Sequence, residues 1–189
     1  MPIDRLDAHP ALLVIDLQRG TLSNPTVHPG DMVVAKATEL ITAFRARGLP
    51  VVLANIDGTP AGRNAYGGSA REYPREFTEL VPELDQQPDD LTITRRTWSA
   101  FAGTDLDTKL SALGVTQVVI AGVATSFGVE STARHAYDHG YNVVLAVDAM
   151  TDIRAESHEH SLTRVFPLLG QTGTTSEIVA QLQSRAAPA

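Results

Sequence analysis

Short apolar runs recur along the chain at intervals that suit a repeating strand and helix fold. These runs are rich in β-branched residues and are continuous rather than alternating with polar residues. Continuous apolar runs are typical of strands that are covered on both faces. The pattern predicts strands over residues 11–17, 50–56, 91–94, 117–123 and 142–148.

Between the predicted strands, apolar residues recur at three- and four-residue spacing, which is the spacing of amphipathic helices. This pattern predicts helices over residues 31–47, 105–113, 126–139 and 155–168. Gly48, Gly114 and Gly140 follow the first three of these helices, where glycine commonly ends a helix. Thr175 or Ser176 is suited to cap a final helix.

The alternation of strands and helices predicts an α/β fold with a central, mostly parallel sheet and helices on both faces. A chain of 189 residues fits one domain, so we expect a single domain over residues 1–189. Residues 58–74 interrupt the alternation and are rich in Gly, Pro and Arg. Because strands continue on either side, this segment is predicted to be a functional loop rather than a linker.

Composition excludes several classes of partner and chemistry. The formal net charge is −7, and no run is rich in Lys and Arg, which argues against nucleic acid and anionic membrane as partners. A small-molecule substrate is therefore expected. The chain contains no cysteine, which excludes disulfides and thiol nucleophiles. No signal-peptide pattern or membrane-length apolar run is found, so we expect a cytoplasmic protein.

In parallel sheets, ligands bind at the carboxyl ends of the strands. That rule selects Asp16, residues 55–57, Arg95, residues 124–128 and Asp148 as candidate site residues. Two alternatives remain open at this point. Asp16 could instead cap a helix or loop. Arg95, which is followed by Arg96, could be a solvated arginine on a loop.

Three segments carry a resemblance to a known family: "LLVIDLQRG", the long segment from "RRTWSAFAG" through "GVATSFGVESTARHAYDHGYNVVLAVDAMTD", and "TGTTSEIV". Together they resemble the isochorismatase-like hydrolases, also called the cysteine hydrolase family, over residues 11–182. The resemblance implies a Rossmann-like three-layer α/β/α sandwich. It also implies an active site built from an Asp, a Lys and usually a Cys.

Asp16 matches the family's aspartate, whereas Arg95 stands at the lysine position and Gly128 at the cysteine position. Gly128 supplies no nucleophile, so covalent amide hydrolysis by the family route is not expected. The isochorismatases resemble this chain in having glycine at this position. They imply a non-covalent reaction in which an aspartic acid transfers a proton and water attacks.

Arginine at the lysine position changes the expected electrostatics. An arginine stays charged, and a fixed positive charge beside Asp16 would lower the pKa of that carboxyl. We also expect Arg95 to clamp a substrate carboxylate through paired hydrogen bonds. A small and anionic substrate is therefore expected.

The remaining candidates surround the corner between the fourth predicted strand and its helix. Ala124 and Thr125 lie on the corner, and its backbone amides are expected to bind developing negative charge. Trp98, Phe101 and Phe127 flank it and are expected to line a substrate pocket, although Phe101 could equally belong to the core. The resemblance also implies a cis peptide bond between Val123 and Ala124 and a homo-oligomer.

No metal and no cofactor are expected. The segment after the second strand, "NIDGTPAGRNAYGG", lacks the histidine that metal-binding members of the family carry. Together, the sequence predicts a hydrolase that acts on a small, anionic molecule through acid/base chemistry centred on Asp16. The alternative is a catalytically impaired member of the family that binds a ligand or a partner.

Overall fold

The computed structural model describes residues 2–65 and 68–184. The predicted domain therefore extends beyond the described residues at positions 1 and 185–189, and residues 66 and 67 of the predicted loop also lie outside them. The strands are β1 (Pro10–Ile15), β2 (Val51–Ile56), β3 (Gly58–Thr59), β4 (Arg71–Glu72), β5 (Leu91–Arg95), β6 (Gln117–Val123), β7 (Asn142–Thr151) and β8 (Gln171–Gly173).

Helices fill most of the segments between these strands. They are α1 (Arg19–Leu22), α2 (Gly30–Arg45), α3 (Arg75–Thr78), α4 (Leu106–Ala112), α5 (Glu130–Asp138), α6 (Ala155–His160), α7 (Phe166–Leu169) and α8 (Thr175–Ser184). A π-helical turn (Thr125–Val129) leads into α5, a second one (Ser161–Val165) joins α6 to α7, and a 3-10 turn (Pro82–Leu84) precedes β5.

Within the described residues, six strands form one sheet in the order β5-β2-β1-β6-β7-β8, and each pair of neighbours is parallel. β3 and β4 form a separate antiparallel ribbon inside the predicted loop 58–74. The sheet confirms the predicted α/β fold class. The ribbon and β8 were not predicted, because two- and three-residue strands are too short to give a hydrophobic pattern.

Buried residues on the two faces of the sheet form two separate cores. On β1, Leu12 and Val14 pack with α2 and α8, whereas Leu13 and Ile15 pack with α4 and α5. Side chains alternate between the faces because successive residues of a strand point in opposite directions. The three-layer arrangement of helices, sheet and helices is therefore confirmed.

β7 is longer than predicted, and its register against β6 is irregular. Ile120 of β6 pairs with Leu145, but Gly122 pairs with Met150, so β7 carries additional residues between the two pairs. The predicted strand end at Asp148 is therefore wrong: the strand runs on to Thr151. Asp148 instead accepts hydrogen bonds from the N–H and the hydroxyl of Thr175 at the start of α8.

Gly122 allows β6 to lie close to β1 beside the candidate site. It pairs with Ile15, its φ is +123°, and a Cβ atom at this position would overlap the carbonyl oxygen of Ile15. Gly114 also has a positive φ, +66°, but a Cβ atom there would contact nothing within 4 Å.

We therefore expect Gly122→Ala to lower the free energy of unfolding by more than about 3 kcal/mol, because it adds overlap to backbone strain. The control Gly114→Ala carries only the backbone strain and should cost about 1–2 kcal/mol. Urea unfolding of both variants measures the difference. Equal losses would show that the approach of β6 to β1 does not require glycine.

Candidate active site

The sheet order brings the carboxyl ends of three strands, β1, β5 and β6, close together on one side of the sheet. Asp16 follows β1, Arg95 is the last residue of β5, and the corner at residues 124–128 follows β6. β1 lies next to β6, and only β2 separates β1 from β5. The Arg95 side chain therefore has to cross the end of one strand to reach Asp16, which a long side chain can do.

Asp16 and Arg95 form a buried ion pair with two parallel hydrogen bonds. Nη1 of Arg95 donates to Oδ1 of Asp16 at 2.5 Å, and Nη2 donates to Oδ2 at 3.0 Å. Nη2 also donates to the carbonyl oxygen of Trp98 at 2.9 Å. Asp16 is 5% exposed and Arg95 is 4% exposed. Arg95 was expected to bind a substrate carboxylate with paired hydrogen bonds, but it makes these bonds to the carboxylate of Asp16.

Two opposing effects act on the Asp16 carboxyl. Burial raises its pKa, whereas the charge of Arg95 and its hydrogen bonds lower it, and burial is the larger effect. Arg95 therefore lowers the pKa of Asp16 as expected, but burial, whose extent the sequence did not show, outweighs this lowering.

The backbone at Asp16 adopts a left-handed conformation, with φ of +51°. Such a conformation is uncommon outside glycine, although Asp and Asn tolerate it better than most residues. The Asp16 N–H donates to the carbonyl oxygen of Ala54 at 2.9 Å, and the Asp16 carbonyl oxygen accepts a hydrogen bond from the Thr21 hydroxyl. Strained backbone that is held in place by its neighbours is typical of functional sites.

The side chain of Gln18 links the segment after Asp16 to β2 through hydrogen bonds. Its side chain is buried, its Oε1 accepts the N–H of Ile56 at 2.8 Å, and its Nε2 donates to the carbonyl oxygens of Ile56 and Phe77 at 3.0 and 3.1 Å. The amide thus pairs with backbone on both sides. Sequence reasoning missed this role because it depends on the neighbouring strand.

At the corner after β6, several backbone groups already have partners. The peptide bond between Val123 and Ala124 is cis. The N–H groups of Phe127 and Val129 donate to the carbonyl oxygen of Ala124 at 3.0 and 3.2 Å. The N–H of Ser126 donates to Oδ2 of Asp152 at 2.7 Å. Two amides of the corner and the adjacent amide of Val129 therefore already bind acceptors within the protein.

Thr125 belongs to a buried polar cluster behind the corner. Its side chain is fully buried, and its hydroxyl lies 2.8 Å from Nδ1 of His158. The His158 ring meets the His28 ring edge to face, with 5.1 Å between ring centres. Burial lowers the pKa of His158, His28 lowers it further, and Asp152 and Glu159 oppose the change. The Thr125 hydroxyl thus faces the interior rather than a substrate.

The three aromatic candidates separate into two groups. Trp98 is 57% exposed and Phe127 is 38% exposed, and their rings meet edge to face at 5.0 Å. Trp98 also lines a cavity of about 320 Å³ with residues of the loop, Arg71 among them. Phe101 is buried against Tyr141 and His139 in one of the two cores, so the core alternative applies to it.

Gly128 is buried directly beside the ion pair. A Cβ atom at this position would lie 3.1 Å from Oδ2 of Asp16, 2.9 Å from Cγ2 of Ile15 and 3.3 Å from the carbonyl oxygen of Val123. These contacts are tighter than ordinary van der Waals contacts, so the bonded carboxylate and its neighbours leave little room for a side chain here.

Comparison with known proteins agrees with this fold. Residues 10–177 match the isochorismatase domain. The chain belongs to the isochorismatase family. It is 39% identical to the family protein YwoC of Bacillus subtilis, over 92% of this chain and 94% of that protein. A solved structure of a family protein from Burkholderia thailandensis superposes with a TM-score of 0.91 at 39% identity, covering 95% of this chain and 98% of that one.

Isochorismatase-family members are hydrolases, and the relatives include enzymes that act on amides. One is the maleamate amidohydrolase of Pseudomonas putida, which is 29% identical over 92% of this chain and 87% of that enzyme. Within residues 2–65 and 68–184, no helix is both long and apolar enough to span a membrane. The same residues contain no cluster of His, Cys, Asp and Glu that could hold a metal ion.

Asp152 is a second residue of the candidate site, besides Gln18, that the sequence did not reveal. It is fully buried and follows β7 directly, and it binds the Ser126 N–H of the corner. The strand-end rule would have selected it had the end of β7 been placed at Thr151. The contact to Asp152 uses the backbone N–H of Ser126 and not its hydroxyl.

The lowered pKa of His158 makes stability depend on pH. The unfolded chain binds a proton at His158 near the ordinary pKa of 6.5, whereas the folded protein binds it only at lower pH. Because the unfolded state then holds more protons, the free energy of unfolding should fall as the pH drops below about 6.5.

His158→Gln should reduce this slope in urea unfolding measured from about pH 8 to pH 5. The control His160→Gln replaces an exposed histidine two residues away and should leave the slope unchanged. If both variants keep the wild-type slope, His158 does not titrate as described.

Proposed function

We propose that the protein hydrolyses a small molecule without a covalent intermediate, with Asp16 as the proton carrier and water as the attacking group. The observation that carries this proposal is the buried carboxylate of Asp16, which lies beside Gly128 and is bound on one side by Arg95. The backbone of Asp16 is also strained. Family membership supports the hydrolase class, and the site supports this version of the chemistry.

Water is proposed as the nucleophile because the side chains at the corner are unsuited to the role. The chain contains no cysteine, and Gly128 has no side chain. The Thr125 hydroxyl is buried against His158. No base is within hydrogen-bond distance of the Ser126 hydroxyl among the contacts of the described residues, so it lacks the activation that a serine nucleophile needs.

Asp16 is suited to act as a general base on that water. A carboxylate offers about four lone-pair sites, and the Arg95 fork uses one on each oxygen. A neutral, protonated Asp16 would leave the buried guanidinium charge of Arg95 without its counter-charge. In the resting protein, Asp16 is therefore ionised and paired with Arg95. Burial, which raises the pKa of Asp16, makes this carboxylate a stronger base than an exposed one.

In the proposed reaction, Asp16 takes a proton from water while the water oxygen bonds to an electrophilic carbon of the substrate. The bond from that carbon to the leaving group then breaks, and the proton passes from Asp16 to the leaving group. The N–H groups of Ala124 and Gly128 are proposed to stabilise the negative charge that develops on the substrate oxygen.

The substrate is proposed to enter between the exposed aromatic pair and the loop. Trp98 and Phe127 offer apolar surface, and Arg71 brings a positive charge to the cavity that Trp98 lines. This charge supports an anionic substrate, a role that Arg95 cannot fill because Asp16 neutralises it. The maleamate amidohydrolase relative suggests small amides for a first screen, together with carbamoyl compounds and isochorismate.

Replacing Asp16 with Asn removes the proton carrier but keeps the shape of the side chain. We expect a loss of about 10²–10⁴ in kcat on any substrate that the screen finds. Ser126→Ala is the matched control and should stay within a few-fold of wild type. A covalent adduct on Thr125 or Ser126, found by mass spectrometry of a quenched reaction, would contradict the proposal.

The pH profile distinguishes a base from an acid at Asp16. For a base, kcat should fall as the pH drops through the pKa of Asp16, and this fall should begin at a higher pH than for an exposed aspartate. A rate that instead falls as the pH rises would assign Asp16 as the acid. No turnover on any compound would favour the ligand-binding alternative.

The loop contribution can be tested with two arginines. Arg71→Gln should raise KM for an anionic substrate by roughly 2–10-fold with kcat little changed, because an exposed charge contributes weakly to binding. Arg63→Gln is the control, since Arg63 lies on the same loop but is not among the described residues that line the cavity. Equal effects would exclude a specific role for Arg71.

A further inference from the structure

The guanidinium of Arg95 has one nitrogen without a partner. Nη1 and Nη2 bind the Asp16 carboxylate, and Nη2 also binds the carbonyl oxygen of Trp98. Among the described residues, nothing accepts a hydrogen bond from Nε, although this atom is buried. A buried donor without an acceptor is unfavourable, and in native proteins such groups are rare outside functional sites.

A second arginine of this chain shows that the arrangement is not forced by the chemistry of the pair. Arg45 binds Asp90 from the side, with Nε donating to Oδ1 at 3.2 Å and Nη2 donating to Oδ2 at 2.5 Å. Arg45 therefore uses its Nε in its ion pair. Arg95 binds Asp16 end-on instead, so its buried Nε–H takes no part in the ion pair and has no acceptor among the described residues.

The charge of the pair indicates what this N–H can bind. Asp16 cancels the charge of Arg95, and the N–H groups of Ser126, Phe127 and Val129 already have acceptors. A second carboxylate beside Asp16 would be an uncompensated buried charge, which is costly. An uncharged carbonyl oxygen accepts the same hydrogen bond without adding charge.

We propose that the Nε–H of Arg95 binds an uncharged carbonyl oxygen of the substrate, as in an amide, carbamoyl or ester group. Asp16 then has a second task, which is to hold the guanidinium end-on so that Nε stays available. This inference rests on the proposed function, because it names the group that the site hydrolyses. It concerns only the group at the ion pair, so a negative charge elsewhere on the substrate can still face Arg71.

Acetamide and acetate provide a matched pair of probes, since they have nearly the same shape and differ in charge. The Nε–H signals of arginines can be followed in nitrogen-15 correlated NMR spectra of the full chain. The Arg95 signal is identified by its loss in Arg95→Lys, which keeps a positive charge near Asp16 but has no Nε–H. If that variant does not fold, sequential assignment of the wild type identifies the signal.

We expect acetamide to shift the Arg95 signal in a saturable manner and acetate to leave it in place. The Arg45 signal is the internal control and should stay fixed in both titrations, because its Nε already has a carboxylate acceptor. Trp98 is the only tryptophan, so its indole N–H reports on the same site. That indole signal should shift with acetamide in wild type and not in Arg95→Lys.

An Arg95 signal that moves with acetate as much as with acetamide would assign a carboxylate site instead. A signal that moves with neither probe would overturn the inference. The result is separable from the proposed function. If Asp16→Asn loses turnover but acetamide does not shift the Arg95 signal of the wild type, the inference is wrong and the proposed function stands. If acetamide shifts that signal but the wild type turns over no substrate, the proposed hydrolysis is wrong and the inference stands.

Discussion

The ion pair between Asp16 and Arg95 organises the candidate site, because neither charge is stable in the protein interior without the other. The pair spans from the end of β1 to the end of β5, so it also links the edge of the sheet to its centre. Removing one partner would leave the other buried and uncompensated, which typically costs about 3–5 kcal/mol. The proposed reaction and the stability of the fold therefore both depend on the side chains of Asp16 and Arg95.

A second set of contacts holds the corner after β6 without touching the ion pair. Asp152 binds the Ser126 N–H from the end of β7, and His158 binds the Thr125 hydroxyl from α6. Residues 27 and 28 join the same cluster, through the Val27 N–H to the Asp152 carbonyl oxygen and the His28 N–H to the Thr151 hydroxyl. These contacts hold the corner at several points, and a site that lacks a side-chain nucleophile depends on such placement of its backbone groups.

The sequence predicted the fold and the positions of Asp16 and Arg95 well, because both depend on local signals. Apolar runs mark the strands, and polar residues at their ends mark the edge where ligands bind. It did not predict how the charges are used. Whether Arg95 binds a substrate or Asp16, and whether burial or charge controls the Asp16 carboxyl, depends on strand order and solvent exposure.

The other differences have the same origin in contacts between distant segments. The end of β7 was placed at Asp148 because the apolar run stops there, but pairing with β6 carries the strand on to Thr151. Because of that error, the strand-end rule selected Asp148 as a candidate site residue and passed over Asp152. Phe101 shows the limit of proximity along the chain, since it is near Trp98 in sequence yet lies in the core.

The space beside Gly128 has a consequence for how this site can change. A Cβ atom at position 128 would press on the same Asp16 oxygen that Arg95 binds. A side chain at 128 and an arginine at 95 therefore compete for the position of one carboxylate. Substitutions at the two positions should be non-additive, as expected for residues that share a partner. An evolutionary path between this site and one with a cysteine nucleophile would then favour paired exchanges over single steps.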